Sequence, residues 1–395
     1  MFSFSSLALL ALSSLATARH IGGSKGCVVA SQYASSNGTA DDSPAITKAF
    51  KDCAQGGTIH FQPGVDYNVL TPIVATDLDH VTISMQGNLH LPQNVTYMQQ
   101  IYNQTTTEDD DDLYWFSLSG PGIQYIGTPN VTTGWIYSYG QAWWDANPVN
   151  GTGLDGRPHL VSFHTTNGGM QHFKSRKPIA WGVQVQGDNI TISDTVIDAY
   201  STGGFPFNTD GFDVGASNVR ITNSVIFNGD DAIAVQSGAH DVLFQGGTIG
   251  YQSHGMSIGS LGQDQSEFAN VSNVHFDDIT VIAAVYAARF KSWQGGQGLA
   301  KNISWTNMRV FNVTFPIFVT QTYINQGGSQ TQIGNGATEG RPNNSTVNME
   351  DMRWENFTGS INTYQPGDGS CVTDVSSASL LPPTPRASTP SCLFR

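Results

Sequence analysis

One pattern, apolar-x-apolar-x-polar-x-x-apolar, recurs along the second half of the chain and constrains its fold more than any other feature. Copies begin at Ile190, Val219, Val242, Val274, Ile303 and Val347, with starts 29, 23, 32, 29 and 44 residues apart. Alternation with a period of two marks short strands, and the Gly, Asn and Asp residues around them mark turns. A short strand has an inward apolar face that it cannot bury alone. Stacking successive coils lets each apolar row cover the next. The reading is therefore an all-β, single-domain parallel β-helix over residues 19–374. A β-sandwich also has many short strands, but it does not repeat one motif in register. Residues 41–61 are expected to supply the single helix that caps the open N-terminal end. Asp42 or Ser43 is its N-cap, Pro44 sits in its first turn, and Ala45, Ile46, Ala49 and Phe50 face inward.

Residues 1–18 read as a secretory signal, because an apolar core from Leu7 to Leu15 precedes the small-x-small cleavage pattern Ala16-Thr17-Ala18. That core is too short to span a bilayer, so no membrane association is expected. Export is also indicated by Asn-x-Ser/Thr acceptors at Asn94, Asn103, Asn130, Asn150, Asn189, Asn270, Asn302, Asn312, Asn344 and Asn356. The four cysteines, Cys27, Cys53, Cys371 and Cys392, suit an oxidising compartment, and their wide spacing is unlike a zinc site. Cys27 with Cys53 is the expected bridge, and the partners of the other two stay open. A net charge of −14 argues against nucleic-acid binding. It also repels polyanions at long range, so an acidic substrate would have to be met by local cations.

Four short segments carry candidate chemistry: Asn208-Thr-Asp210, Gly229-Asp230-Asp231, Ser253-His254-Gly255 and Arg289-Phe-Lys291. Taken singly, each is an ordinary turn or loop. Asp210 and Asp231 are 21 residues apart, and Asp231 and His254 are 23 apart, each close to one coil. Neighbouring parallel strands lie about 4.8 Å apart, so residues one coil apart stack and these side chains can share one face. Crowded carboxylates repel, and at least one keeps its proton near the working pH. Glycoside hydrolysis needs that division between an acid for the leaving oxygen and a base for water. A calcium site also gathers carboxylates, but adjacent cations oppose it. Arg289 and Lys291 alternate along a strand and project together, forming a fork and a point charge suited to a sugar carboxylate.

Through these four motifs the chain resembles glycoside hydrolase family 28, the polygalacturonases. The likeness runs from about Cys27 to Asp374 and includes the Gly140-Gln-Ala-Trp143-Trp144-Asp145 segment. The resemblance implies a right-handed parallel β-helix, inversion at the anomeric carbon, and no metal or organic cofactor. It implies Asp230 as general acid, Asp210 and Asp231 as activators of water, and His254 as the group that sets the protonation of the acid. Asn208, Arg289 and Lys291 would bind galacturonate, and the partner would be pectic polysaccharide, met by a secreted monomer. The runs Gly203–Asn208, Ser257–Gly262 and Ala288–Gln294 look like exo-acting members, which points to a galacturan 1,4-α-galacturonidase.

Two departures stand out. Ala232 and the Gln252-Ser253 pair occupy places where many relatives carry cysteines, and the Ser/Pro-rich stretch Val375–Arg395 replaces a further cysteine and more sheet. That tail, residues 375–395, is expected to be disordered or an artefact of the gene model. The rival readings are an endo-acting, xylogalacturonan or rhamnogalacturonan hydrolase of the same family, a calcium-dependent pectate lyase, and a β-helical carbohydrate-binding protein without catalysis.

Overall fold

Parallel pairing runs the length of the fold, from Gly26–Val28 against Thr58–Phe61 to Gln297–Val313 against Thr346–Ile361. The computed structural model describes residues 25–107, 112–148, 153–323 and 344–362. The signal segment, Asn150, Cys371, Cys392 and the tail from Val375 lie outside the described residues.

The stacked repeats form the expected β-helix. Ile190 pairs with Val219, Val219 with Val242, Val242 with Val274, and Val274 with Ile303. The last copy is out of register, because Ile303 pairs with Met352 while Val347 pairs with Gly298. The strands Gln297–Val313 and Thr346–Ile361 each run through a corner, at Asn302 and Asp351, whose φ values are 54° and 55°. Val347 lies before its corner and Ile303 after its own. Both satisfy the same alternation, so pattern alone could not separate them.

The predicted cap is shorter than expected. The helix covers Ser43–Asp52, and Thr58–Phe61 is already strand. Pro44 opens it, Ile46, Ala49 and Phe50 are buried, and Ala45 is only half-buried. Asp42 is the N-cap residue but makes no side-chain cap bond. Its oxygens accept instead from the backbone N–H groups of Gln32 and Asn68, at 2.7 and 3.0 Å, and tie the N-terminal segment to the first coil. The Cys27–Cys53 disulfide closes this end as expected. The helix is not the only one: Val95–Thr105 and Gln141–Asp145 are also helical. Asn94, read above as a sequon, caps the first of these by accepting from Tyr97 N–H at 3.0 Å.

Candidate active site

In the sheet strand that follows the longest loops, alternate residues face alternate ways. Val183, Phe212, Ile233, Met256 and Ala288 pair coil to coil and form an inward apolar row. One residue on, Gln184, Asp213, Ala234, Ser257 and Arg289 form the outward row. Phe290 is fully buried in the core, so Lys291 returns to the same side as Arg289.

The remaining candidates lie where the chain enters this sheet. Gly211 N–H donates to the carbonyl of Asp231 at 2.9 Å and His254 N–H to that of Asp230 at 2.8 Å, so the three coils stack as the spacing predicts. Asn228, fully buried, binds these segments together. Its Nδ2 lies 2.9, 2.8 and 2.9 Å from the carbonyls of Thr209, Asp230 and Asp231. Gly255 follows the histidine at φ 71°, where a Cβ would stand 2.3 Å from the Ala287 carbonyl oxygen, so only glycine lets the next coil pack.

Asp231 is fully buried and saturated: Oδ1 accepts from Ser257 Oγ at 2.5 Å and Arg289 Nη1 at 3.2 Å, and Oδ2 accepts from Lys291 Nζ. Asp230 Oδ1 accepts from Asp231 N–H and His254 Nδ1, both at 2.9 Å. Arg289 Nη1 also lies 3.2 Å from His254 Nδ1. A guanidinium only donates, and Nδ1 cannot accept from it while donating to an ionised Asp230, so this last approach is a contact without a hydrogen bond.

Burial and charge divide the carboxyls. Burial alone would raise Asp230, but the charge and hydrogen bond of His254, helped by Lys291 and Arg289, hold it below the usual carboxylate range. Asp210 is pushed well above that range by burial and by repulsion from Asp230, Asp213 and Asp231. Asp213 is pushed up as well, by burial and by Asp231. For Arg289 and Lys291, burial favours the neutral form, but Asp231 outweighs it and both stay charged. The cavity over these groups measures about 280 Å³ and is lined by Asn208, Asp210, Asp213, Asp230 and Lys291, with Trp181, Trp293 and Tyr323 as aromatic walls. Among the described residues, buried Asp210 Oδ1 and Asp213 Oδ2 have no hydrogen-bond partner. Ligand atoms of Asp230, Asp231 and His254 lie within 4.8 Å of one another, a spacing that could hold a metal ion. Both Asp231 oxygens, however, are already taken by the protein's own cations and a serine.

Of the seven predicted side chains, Asn208, Asp210, Asp230 and Lys291 line this cavity, while Asp231, His254 and Arg289 are bonded to its lining or to one another. Sequence reasoning missed Asp213, Asn228, Ser257, Tyr286 and Tyr323. The Arg289 guanidinium lies over the rings of Tyr286 and Tyr323, with its Cζ 4.7 and 5.9 Å from their centroids, and Lys291 Nζ is 5.4 Å from the Tyr323 centroid. Asp213 left one signal, a carboxylate inside the buried triplet Phe212-Asp213-Val214.

The family model for glycosyl hydrolases family 28 matches residues 65–376. "Probable exopolygalacturonase C" of Aspergillus terreus is 57% identical over 368 residues, covering 93% of this chain and 81% of that protein. The protein of the same name from Aspergillus niger is 57% identical over 351 residues, covering 89% and 77%. Among solved structures, endo-xylogalacturonan hydrolase from Aspergillus tubingensis superposes with a TM-score of 0.71 at 25% identity, covering 86% of this chain and 85% of that one. A parallel β-helix, a family model spanning most of the chain and relatives at this identity lead to one conclusion: the chain belongs to glycosyl hydrolases family 28.

Proposed function

We propose that this chain hydrolyses α-1,4-galacturonosyl bonds of homogalacturonan with inversion, releasing single galacturonates from the non-reducing end. One observation carries the reading: Lys291 lines a cavity with the buried carboxyls Asp210, Asp213 and Asp230, and it shares the buried Asp231 with a second cation, Arg289. In a chain of net charge −14, Arg289 and Lys291 are the local cations that a polyuronate requires. Asp230 gives its proton to the glycosidic oxygen as the C1–O bond breaks. Water, deprotonated by Asp210, bonds to C1 from the other face, while Asp231 assists by holding Arg289 and Lys291 at the site.

Asp230 needs a proton for this role, and in the free enzyme His254, Lys291 and Arg289 oppose it. A bound uronate pairs with Arg289 and Lys291 and withdraws their field from Asp230. The carboxyl cluster titrates as a unit, so a proton resting on Asp210 or Asp213 becomes available to Asp230 at that moment. Exo action is supported by the names of the Aspergillus relatives. Secretion and N-glycosylation are supported by the sequons and by the Cys27–Cys53 bridge. No helix among the described residues is long and apolar enough to cross a membrane.

Early products from polygalacturonate, separated by chromatography, test the reading. Monomer alone, released first as the β-anomer, is expected. A ladder of oligomers would mean endo action, and unsaturated products would mean a lyase.

A further inference from the structure

Arg157 belongs to none of the four motifs, yet its guanidinium bonds to Asn208, which lines the cavity. Nη1 donates to the Phe207 carbonyl at 2.7 Å, Nη2 to Asn208 Oδ1 at 2.8 Å, and Nε to the carbonyl of its near neighbour Leu154 at 2.9 Å. We propose that Arg157 is a positioning residue that locks the Asn208 amide with its N–H groups turned to the bound galacturonate; this rests on the galacturonan reading above.

The argument starts from what each group can offer. A guanidinium has five donors and no acceptor. The Asn208 atom that faces it must therefore be the oxygen, and Nδ2 is turned elsewhere. Nδ2 hydrogen-bonds to none of the described residues, and Asn208 lines the cavity with Asp210, Asp230 and Lys291. Left alone, the amide torsion of an asparagine is soft and roughly two-fold, so either end could face the sugar. An oxygen there would repel a uronate, whereas two N–H groups attract it.

The backbone needs the same clamp. Asn208 sits at φ 53°, a left-handed conformation that asparagine tolerates better than most residues but that a hydrogen bond still helps to hold. Arg157 grips the preceding carbonyl as well as the side chain, fixing the peptide and the amide with one planar fork. The space is prepared for it. Gly153 has φ 115°, and a Cβ there would stand 2.4 Å from Arg157 Cζ. Burial works against the cation and lowers its pKa, and the charges of Asp230, Asp155 and Asp210 offset part of that.

A double-mutant cycle on the full chain tests this, with KM and kcat on polygalacturonate and affinity for free galacturonate as readouts. Arg157→Met keeps the bulk and removes the donors. It is expected to raise KM and weaken galacturonate binding on the order of tenfold, with kcat changed much less, and to match Asn208→Ala. The double variant is expected to be no worse than either single one. Arg157→Lys keeps a donor-only cation and is expected to recover most of the loss, which a purely structural role would not produce. Additive losses, an unchanged KM in Arg157→Met, or Arg157→Lys no better than Met would each overturn the proposal. Should Arg157→Met fail to fold, the Lys variant and Asn208→Ala still decide it. Failure of the parent itself to bind galacturonate would instead overturn the galacturonan reading.

Discussion

Two corners of the same coil have opposite characters. At the first, between successive sheets, a single residue turns the chain: Asn167, Asn189, Asn218, Asp241, Asn273, Asn302 and Asp351 all have φ between 54° and 57°. Their side chains form ladders, with Asn189 Nδ2 donating to Asn167 Oδ1 at 2.7 Å, and Asn302 to Asn273 and Asn273 to Asp241 at 2.9 Å. At the second corner, where the chain re-enters the outward-row sheet, the connection varies from residues 199–211 in one coil to 228–230 in the next. The first corner repeats because Asn and Asp are the side chains that best tolerate a left-handed turn and can also hydrogen-bond to the coil beside them. The second is free in length because it need not turn tightly, and every candidate catalytic group enters from it or from the strand directly after it. Period and chemistry are thus assigned to different corners: the 29-residue step from Ile190 to Val219 crosses the second corner through residues 199–211, and the 23-residue step from Val219 to Val242 crosses it through 228–230.

The contrast breaks most visibly at Asp230. Asp230→Asn keeps the shape and the contact with Asp231 N–H, so the coil should not notice the change. Activity should fall by about three to four powers of ten in kcat, the range expected for a lost general acid, with KM and Tm nearly unchanged. Steady-state kinetics beside a melting curve would check it, and a kcat within tenfold of the parent would remove Asp230 from the acid role.

Asn273 gives the complementary result at the other corner. It donates to Asp241 and accepts from Asn302. Asn273→Ala loses both bonds and places an alanine at φ 55°, together about 2–4 kcal/mol. Asn273→Gly loses the bonds but relieves the backbone, so it should cost about half as much. Denaturant titrations of both should show this order, while kcat per folded molecule stays at the parent value. If the alanine and glycine variants were equally stable, the turn conformation would not be what selects asparagine here.

The same division explains what the sequence disclosed. Inward rows alternate strictly, so Ile190, Val219, Val242, Val274 and Ile303 revealed the coil, and the near-constant step from Asp210 to Asp231 to His254 revealed the face. Val347 misled because its strand bends at Asp351, and a corner inside a strand leaves the alternation intact on both sides. The helix Val95–Thr105 passed unseen because only Met98 in it is fully buried, so it carries little apolar stripe to recognise. Arg157 and Asn228 act through donors to atoms 51 residues away or to backbone carbonyls, and neither relation leaves a pattern along the chain.

Asp213 sharpens the comparison with the smallest effect, because it is a titrating group placed inside the regular sheet rather than at either corner. Burial, then the negative charge of Asp231, raise its pKa; Lys291 offsets part of this, and Asp230 adds to it. A carboxyl whose pKa is raised by folding contributes stability that is complete below the unfolded value, near 3.8, and is lost as the pH climbs through the folded value. Asp213→Asn cannot ionise and so escapes that loss. Its Oδ1 can still accept from Gln236 Nε2, which lies 3.2 Å from Asp213 Oδ1 in the parent. The variant should therefore melt a few degrees above the parent at pH 7, the shift of roughly 1–2 kcal/mol in a chain of this size, and level with it near pH 4. Asp210 remains in both proteins, so the decline above the carboxylate range should be smaller in the variant and not abolished. An advantage of the same size at both pH values would trace the gain to packing and deny that Asp213 carries a displaced proton equilibrium.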